Sequence, residues 1–387
     1  MSSPLKDTLV VSIEQAIAAP YCSRLLADLG ARVIKVERPD GGDFARKYDD
    51  RARGLSSHFV WTNRSKESLS LDLKDEAAII AMKKLLEKTD VFIQNLAPGA
   101  AARLGLGHEL LQQKYPNLIT CSISGYGKGG PDGDRKAYDL LIQAEAGLLS
   151  VTGSADQPAK CGISIADIAA GTTACNAILA AVINRAKTGK GDHIEVSMLE
   201  SMAEWMGFPM YFSIDGAEPP ARTGAGHATI FPYGPYETED DTVMLGLQNN
   251  REWKAFCQNV LLDEALAEDE RLQGNDGRYT HRDEINKHIN NVFQKLPTAD
   301  VVSRLEQAGI GTASVNTMHG LWNHKQLKAR DRWQEIETPI GTLPALKPVS
   351  GNAWQPRMDP VPMLGEHTQT ILNELQLDKD TEELLSY

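Results

Sequence analysis

The first half of the chain alternates short apolar runs, rich in β-branched residues, with longer segments in which apolar residues recur at helical spacing. The short runs predict strands over residues 8–13, 31–38, 68–73, 90–96, 117–124 and 192–199. The longer segments predict helices over residues 20–30, 74–89, 138–150, 167–187 and 200–208, with an interrupted helix over 98–115. This alternation predicts a parallel sheet in a doubly wound α/β layer, with a ligand at the carboxyl ends of the strands.

The pattern changes at about Gly216. The next segment, residues 216–236, is rich in glycine and proline and predicts a linker with a binding loop. Residues 233–247 predict a hairpin, and residues 281–296 predict a helix with one apolar face. We therefore expect a second, smaller domain to begin there.

The composition is that of an ordinary folded protein, with 42% apolar and 24% charged residues among 387 positions. The net charge of −12 disfavours nucleic acid and anionic membrane as partners, because the long-range field repels a polyanion. The five cysteines are scattered, and we expect them to be reduced. No long apolar segment opens the chain, and the longest apolar stretch, around AILAAVI, is shorter than a bilayer requires. We expect a cytoplasmic protein that does not enter a membrane.

Several common site motifs are missing. The first predicted strand is not followed by G-x-G-x-x-G, which disfavours NAD, and the glycine-rich residues 124–134 lack G-K-[ST], which disfavours a phosphate loop. This segment is better interpreted as a mobile turn. The histidines and cysteines lack zinc-ligand spacing, and no serine lies in G-x-S-x-G. We expect no metal site.

Asp167 is a lone carboxylate in a run of small and apolar residues. One interpretation is a helix N-cap, although Ala170 stands where a capping box would place Glu or Gln. The other is a nucleophile at a helix start where small neighbours leave room for a ligand. The two interpretations do not exclude each other.

Basic residues follow several of the predicted strands. Arg38 and Lys74 come at strand ends, and Arg103 lies in the helix after another strand. Each alone is typical of a solvated surface, but corresponding ends of parallel strands meet at one edge of the sheet. Together they predict a site for a phosphate-bearing ligand.

Successive segments of the chain resemble the family III CoA-transferases, the group that contains formyl-CoA transferase, carnitine CoA-transferase and α-methylacyl-CoA racemase. The segments are LLADLGARVIKVERPDGGD, NRSKESLSLDLK, VFIQNLAPG, ISGYGKGGP, IADIAAGTTA, INRAKTGKGDHIEVSMLES and PMLGEHTQTIL. The resemblance implies a large Rossmann-like parallel-sheet domain built from both chain ends, a smaller α+β middle domain, and an interlocked homodimer. It places the large domain over residues 1–215 and 326–387 and the small domain over 216–325.

The resemblance also implies site residues. The catalytic aspartate of the family matches Asp167. The positions that contact CoA match Gln15, Ala16, Arg38, Leu71, Asp72, Leu73, Lys74, Asn95, Leu96, Ala97, Arg103, Lys136, Ala137 and Tyr138.

Two departures from the family narrow the expected activity. Tyr138 stands where the racemases carry a catalytic histidine, so half of their acid/base pair is missing. The formyl-CoA transferases have a run of glycines where this chain has RTGAGHATIFPYG, with Arg222 and His227 as candidate acyl- and acceptor-binding residues. This loop is closer to members that act on branched or dicarboxylic acyl groups, and among these the succinyl-CoA:itaconate or mesaconate CoA-transferases are favoured.

The expected function is the transfer of CoA from an acyl-CoA, with succinyl-CoA favoured, to a small carboxylic or dicarboxylic acid. A CoA thioester is then a substrate, and no tightly bound cofactor is required. Two alternatives remain open, an acyl-CoA racemase or epimerase that uses Asp167 with another partner, and a non-catalytic CoA-ester binding protein.

Overall fold

The computed structural model describes residues 3–385, and its first six strands form one parallel sheet. The strands are β1 (Leu9–Ile13), β2 (Arg32–Glu37), β3 (Lys66–Ser70), β4 (Val91–Gln94), β5 (Ile119–Ser124) and β6 (His193–Ser197). They pair in the order β3-β2-β1-β4-β5-β6, which is the order of doubly wound nucleotide-binding sheets. The predicted parallel α/β sheet is therefore confirmed.

Helices connect and cover these strands. They are α1 (Ala18–Asp28), α2 (Ser57–Asn63), α3 (Glu76–Leu86), α4 (Ala100–Arg103), α5 (His108–Lys114), α6 (Asp139–Glu145), α7 (Leu148–Val151), α8 (Ile165–Thr188), α9 (Met198–Trp205) and α10 (Gly207–Phe212). Because parallel strands are buried on both faces, β1 is almost continuously apolar, which is why its position could be predicted.

The rest of the chain contributes two antiparallel sheets and further helices. The strands are β7 (Tyr233–Glu237), β8 (Thr242–Gly246) and β9 (Gly311–Ser314) in one sheet, and β10 (Trp333–Thr338) and β11 (Gly341–Leu346) in the other. The helices are α11 (Asn250–Ala255), α12 (Glu264–Glu268), α13 (Asn275–Thr280), α14 (Arg282–Phe293), α15 (Thr298–Gln307), α16 (Met318–Trp322), α17 (Lys325–Ala329), α18 (Thr368–Leu375) and α19 (Lys379–Leu384).

The chain divides into two compact units. The larger contains the residues up to Gly147, Cys161–Gly207 and the residues from Gln326 onward, and the smaller contains Leu148–Lys160 and Phe208–Lys325. The second unit thus begins before Gly216 and includes a segment that the domain prediction placed in the large domain. Backbone bonds explain this, because the Gly224 N–H donates to the carbonyl of Gly153 at 2.8 Å. Because these two segments are far apart in the sequence, no local sequence pattern predicts that they pair.

Two element predictions were wrong in detail. The helix predicted over residues 138–150 ends at Glu145, because Gly147 has a φ of +77°. Strand β3 begins at Lys66 rather than at residue 68. A buried lysine inside a strand cannot be recognised from apolar periodicity, because its burial depends on a distant carboxylate.

Helix α8 packs on α1 within the larger unit. A Cβ at Gly171 would lie 2.7 Å from the carbonyl oxygen of Ala18, so only glycine permits this approach. Among residues 3–385, α8 is the one helix that is long and apolar enough to cross a membrane by length and composition. The expectation of a shorter apolar stretch was wrong, because alanine and threonine extend it. A buried core helix has the same length and composition, so these two properties do not show whether α8 enters a membrane.

Candidate active site

The order of the strands places a crevice between β1 and β4, where the connections leave in opposite directions. Gln15 and Asn95 follow these two strands. The Gln15 N–H donates to Oδ1 of Asn95 at 2.9 Å, and Nδ2 of Asn95 donates to the Gln15 carbonyl at 2.9 Å. The side chain of Asn95, predicted to contact CoA, therefore also fixes the loop that follows β1.

Ala16 is in the left-handed region, with a φ of +63°. An alanine is rare there, and the cost is on the order of 1 kcal/mol. Its N–H donates to Oδ1 of Asp43 at 2.9 Å, which holds the strained turn in place. This turn directs the chain into α1.

A cleft of about 240 Å³ opens at the carboxyl ends of β1, β2 and β3. The predicted residues that line it are Gln15, Arg38, Leu71, Asp72, Leu73, Lys74 and Leu96. Oε1 of Gln15 is buried in the described structure and has no hydrogen-bond partner there. Such an oxygen is suited to receive a donor from a ligand.

The predicted basic residues Arg38, Lys74, Arg103 and Lys136 are exposed, and within residues 3–385 none of the four forms an ion pair. Arg38 and Lys74 line this cleft and form its exposed basic rim. The Arg38 guanidinium lies over the ring of Phe44, 4.7 Å from its centroid, and Nε donates to the carbonyl of Gly42 at 3.0 Å. Its remaining donors are available to an anion, which is the arrangement that a phosphate requires.

A group of buried charges, which the sequence analysis missed, lies under this cleft. Nζ of Lys66 donates to Oε1 of Glu14 at 2.7 Å, and Nζ of Lys35 donates to Oδ2 of Asp43 at 2.5 Å, with all four side chains fully enclosed. Burial outweighs these partners for Lys66 and lowers its pKa to about 8, whereas the pKa of Glu14 is lowered by the two lysines despite its burial. These lysines serve the scaffold, and a ligand cannot reach them.

Asp167 is the third residue of α8 and is half-buried. The cap interpretation was wrong: the N-cap position is Ser164, and the N–H of Ala166 is bound by Oδ1 of Asp139 at 2.8 Å. The N–H of Ala18, at the start of α1, lies near the Asp167 carboxylate instead. Burial, and next the charge of Asp139, raise the pKa of Asp167 to about 7, and the Ala18 N–H lowers it in part.

One tyrosine, Tyr48, lies near this carboxylate, and a second, Tyr138, lies near Tyr48. Tyr138 directly precedes α6 and is 69% exposed. Burial raises the pKa of Tyr48, and the charges of Asp43 and Asp167 and the nearby Tyr138 raise it further. Tyr48 was missed by the sequence analysis, because nothing along the chain indicates that it meets Asp167.

A second cleft, of about 340 Å³, lies beside β4, β5 and β6. Leu96 and Ala97 of the predicted set line it, together with the glycine-rich loop from Gly127 to Gly133. Ala137 packs against Gly125, where a Cβ would lie 2.1 Å from the Ala137 Cβ. Lys136 and Ala137 therefore follow a loop that is fastened at its start.

Arg222 and His227 belong to the smaller unit. All three guanidinium nitrogens of Arg222 donate to main-chain carbonyls, those of Ser154 at 3.0 Å, Ser150 at 3.4 Å and Ala155 at 2.9 Å. Nδ1 of His227 accepts the N–H groups of residues 229 and 230, at 3.1 and 3.0 Å, so the ring proton is assigned to Nε2. His227 thus offers one free donor, while Arg222 holds the segment at 150–155.

The chain matches the family model "CoA-transferase family III" over residues 5–368. It is 32% identical to a succinate–glutarate CoA-transferase of Agrobacterium fabrum, with 96% of each chain covered. It is 30% identical to a succinyl-CoA:mesaconate CoA-transferase of Haloarcula marismortui, with 97% of this chain and 98% of the relative covered. A crystal structure of a CaiB/BaiF family protein from Brucella suis superposes with a TM-score of 0.85 and 31% identity, over 97% of this chain and 100% of that one. The predicted family is confirmed: this chain is a member of CoA-transferase family III.

Proposed function

We propose that this enzyme transfers CoA from succinyl-CoA to a small dicarboxylic acid through covalent intermediates on Asp167. One observation carries the proposal. A half-buried carboxylate with a pKa raised to about 7 lies between the start of α8 and the start of α1, in the unit that contains the exposed basic rim. A carboxylate of raised basicity is a stronger nucleophile, and at neutral pH a large fraction of it is ionised.

The proposed chemistry has four balanced steps. An Asp167 oxygen attacks the donor thioester carbonyl and expels CoA thiolate, which leaves a mixed anhydride. The thiolate attacks the aspartyl carbonyl, which releases the donor acid and leaves an aspartyl-CoA thioester. The acceptor carboxylate then attacks the carbonyl of that thioester and expels CoA thiolate, which leaves a second anhydride. CoA thiolate finally attacks the acceptor carbonyl, giving the new acyl-CoA and free Asp167 carboxylate.

Each attack generates an oxyanion that needs hydrogen-bond donors. At the start of α8 two N–H groups are occupied, because Ile165 donates to the carbonyl of Ile163 and Ala166 donates to Asp139. The start of α1 offers others, because Ile17 at its cap position makes no side-chain cap bond and the N–H of Ala18 lies near Asp167. We assign the oxyanion site to α1.

The choice of substrates rests on relatives named for succinyl-CoA with glutarate or mesaconate. A diacid has a second carboxylate that needs a donor away from the reacting end. Of the two candidates in the loop, His227 has a free Nε2–H, whereas each guanidinium nitrogen of Arg222 already donates to a main-chain carbonyl. We therefore favour His227 as the residue that binds the distal carboxylate, with C4 and C5 diacids, among them glutarate, mesaconate and itaconate, as acceptors.

We also propose a homodimer. The segment that links the two units exposes large apolar side chains, with Phe208 at 55%, Met210 at 58% and Tyr211 at 78%. Apolar exposure at this density is typical of a protein interface. Light scattering after gel filtration should give twice the chain mass of 42.3 kDa, and a monomer at micromolar concentration would exclude a stable dimer.

The racemase alternative requires a second acid/base group, and Tyr138 stands where the racemases carry histidine. Solvent deuterium that enters the α-carbon of an acyl-CoA without any acceptor acid would favour it. Tight CoA binding without turnover across a panel of acids would favour the binding protein.

The deciding experiment is Asp167→Asn together with chemical trapping. The amide keeps the shape but cannot attack, so transfer from succinyl-CoA to glutarate should fall by several orders of magnitude while CoA binding is nearly unchanged. Wild type incubated with succinyl-CoA and hydroxylamine should carry a hydroxamate at Asp167. For the wild type, kcat/KM should rise with pH to a plateau above about 7, because only the ionised carboxylate attacks. Near-normal turnover of Asp167→Asn would exclude the covalent mechanism.

A further inference from the structure

A second carboxylate, that of Asp139, lies beside Asp167 and has no role in the four steps. Asp139 begins α6, and its Oδ1 accepts the N–H of Ala166 at 2.8 Å. Ser164, at the cap position of α8, makes no side-chain cap bond. Asp139 therefore supplies from another helix the cap that α8 lacks, one residue before Asp167.

Gln143 fixes the orientation of Asp139. It lies one turn further along α6 and is fully buried. Nε2 of Gln143 donates to Oδ2 of Asp139 at 2.7 Å, and its Oε1 accepts the N–H of Cys161 at 2.9 Å. Both carboxylate oxygens of Asp139 are thus occupied, and the segment that leads into α8 is tied to the same side chain. This arrangement is a rigid support, since each donor meets an acceptor.

The charges around Asp167 leave Asp139 as the nearest strong influence. From the other elements, the N–H of Ala18 in α1 lies near Asp167, and Tyr48 is close enough for the charge of Asp167 to raise its pKa. The basic residue of α1, Arg24, is bound to Asp28 at 2.6 Å. Like charges held close disfavour the ionised form of each, which agrees with the direction of the Asp167 pKa.

We propose that Asp139, held by Gln143, is a positioning residue whose negative charge favours the acylated forms of Asp167 over the free carboxylate. The inference rests on the proposed covalent role of Asp167. In the free enzyme two carboxylates repel each other. In the anhydride and in the thioester Asp167 is neutral, so this repulsion is absent, and it begins to decrease as Asp167 attacks. Asp139 itself forms no bond to the substrate.

The test separates charge from hydrogen bonding with two variants. Asp139→Asn removes the charge and turns an amide donor toward the Gln143 donor. Asp139→Asn combined with Gln143→Glu restores both donor–acceptor pairs, because the amide introduced at position 139 can donate to the carboxylate introduced at position 143, which also accepts the Cys161 N–H. The double variant thus keeps the hydrogen bonds but moves the charge one helical turn away. Glu145→Gln is the matched control, since it removes an exposed carboxylate of α6 that is bound to Arg135.

The measurements are the pH profile of kcat/KM, kcat and KM at the plateau, and the melting temperature. For Asp139→Asn we expect the acid limb to move down by about one pH unit and kcat at pH 8 to fall roughly 10- to 100-fold, with the KM for succinyl-CoA within about twofold. The double variant should recover the melting temperature of wild type but neither the acid limb nor kcat. Glu145→Gln should resemble wild type in every measurement.

Three outcomes would overturn the inference. The first is an unchanged pH profile and rate in Asp139→Asn. The second is full recovery of kcat in the double variant, which would leave hydrogen bonding as the whole contribution. The third is α-deuterium exchange in wild type that Asp139→Asn abolishes, which would make Asp139 an acid/base group. Hydroxamate trapping in wild type distinguishes the failures: trapping with unaffected variants rejects this inference alone, whereas no trapping rejects the proposed function.

Discussion

Two arginines were predicted to bind anionic groups of the substrates, and their surroundings differ. Arg38, on the rim of the larger unit, gives one donor to a carbonyl and rests on Phe44, so most of its guanidinium is free. Arg222, in the smaller unit, gives all three nitrogens to carbonyls of residues 150–155. The residue type and a glycine-rich neighbourhood are the same. The difference is whether the backbone already satisfies the donors.

A basic residue can bind a ligand only through donors that do not already have partners within the protein. A guanidinium loses little when a phosphate displaces water from it, but it must break existing bonds when carbonyls hold it. Lys35 and Lys66 are further examples. Both are buried beneath the cleft that Arg38 borders, where they form ion pairs with Asp43 and Glu14.

The largest expected effect is that of replacing Arg38 on the KM for succinyl-CoA. Arg38→Ala should raise the KM for succinyl-CoA by roughly 10- to 100-fold with little change in kcat, because one or two charge-assisted bonds to a CoA phosphate are lost, about 1–3 kcal/mol. With dephospho-CoA esters, the difference in KM between the variant and wild type should be smaller. Lys187→Ala, which removes the same charge in the last turn of α8, is the control. Equal penalties with both esters would assign Arg38 to another group.

The next effect concerns Arg222 as a support. Arg222→Ala should speed amide hydrogen exchange of the segment at 148–160 by about tenfold, roughly 1.4 kcal/mol, because three bonds to its carbonyls are lost. The KM for succinyl-CoA should stay within about twofold. Arg251→Ala, which removes an exposed arginine from the same unit, provides the baseline. Unchanged exchange with a large loss of acceptor binding would return Arg222 to the role of a carboxylate receptor.

The third prediction concerns His227 and the binding of the acceptor acid. His227→Ala should raise the KM for glutarate by about 3- to 10-fold, because one neutral donor to the distal carboxylate disappears. A monocarboxylate of equal length should be affected less, and His288→Ala should affect neither acceptor. If both acceptors weaken equally, this loop does not recognise a second carboxylate.

The smallest effect is that of salt. Raising ionic strength from about 0.05 to 0.3 M should increase the KM for succinyl-CoA about two- to fivefold in wild type, since an exposed rim is screened. The increase should be smaller in Arg38→Ala and unchanged in Arg222→Ala. A steep salt dependence that survives Arg38→Ala would place the phosphate contact on another rim residue.

The fold was predictable where burial is uniform along an element. The apolar runs at β1 and β4 are buried along almost their whole length, so composition alone located them. Prediction failed at β3, where Lys66 is buried, and at Leu148–Lys160, which joins the smaller unit through bonds to Arg222 and Gly224. Both failures arise from partners that are distant in sequence.

In the candidate site too, residues within local sequence patterns were predictable, whereas partners distant in sequence were not. The predicted set around Arg38 and Lys74 does line one cleft, because parallel strands bring their ends to a single edge. Asp167 was recognisable as a carboxylate out of place among small residues. Asp139, Gln143 and Tyr48 were not, because an ordinary helix start and a surface tyrosine carry no signal until the fold brings them to Asp167.

The sequence by itself determined the parallel sheet, the CoA-transferase family and the position of the unusual aspartate, since apolar periodicity and local motifs are properties of contiguous residues. Only the tertiary structure decided which charged groups are available. Asp167, Asp139 and Asp43 are chemically identical along the chain, yet one meets burial and a like charge, one caps a helix and one neutralises a buried lysine. Desolvation and Coulomb interactions depend on distances through space, and the order of residues along the chain does not contain those distances.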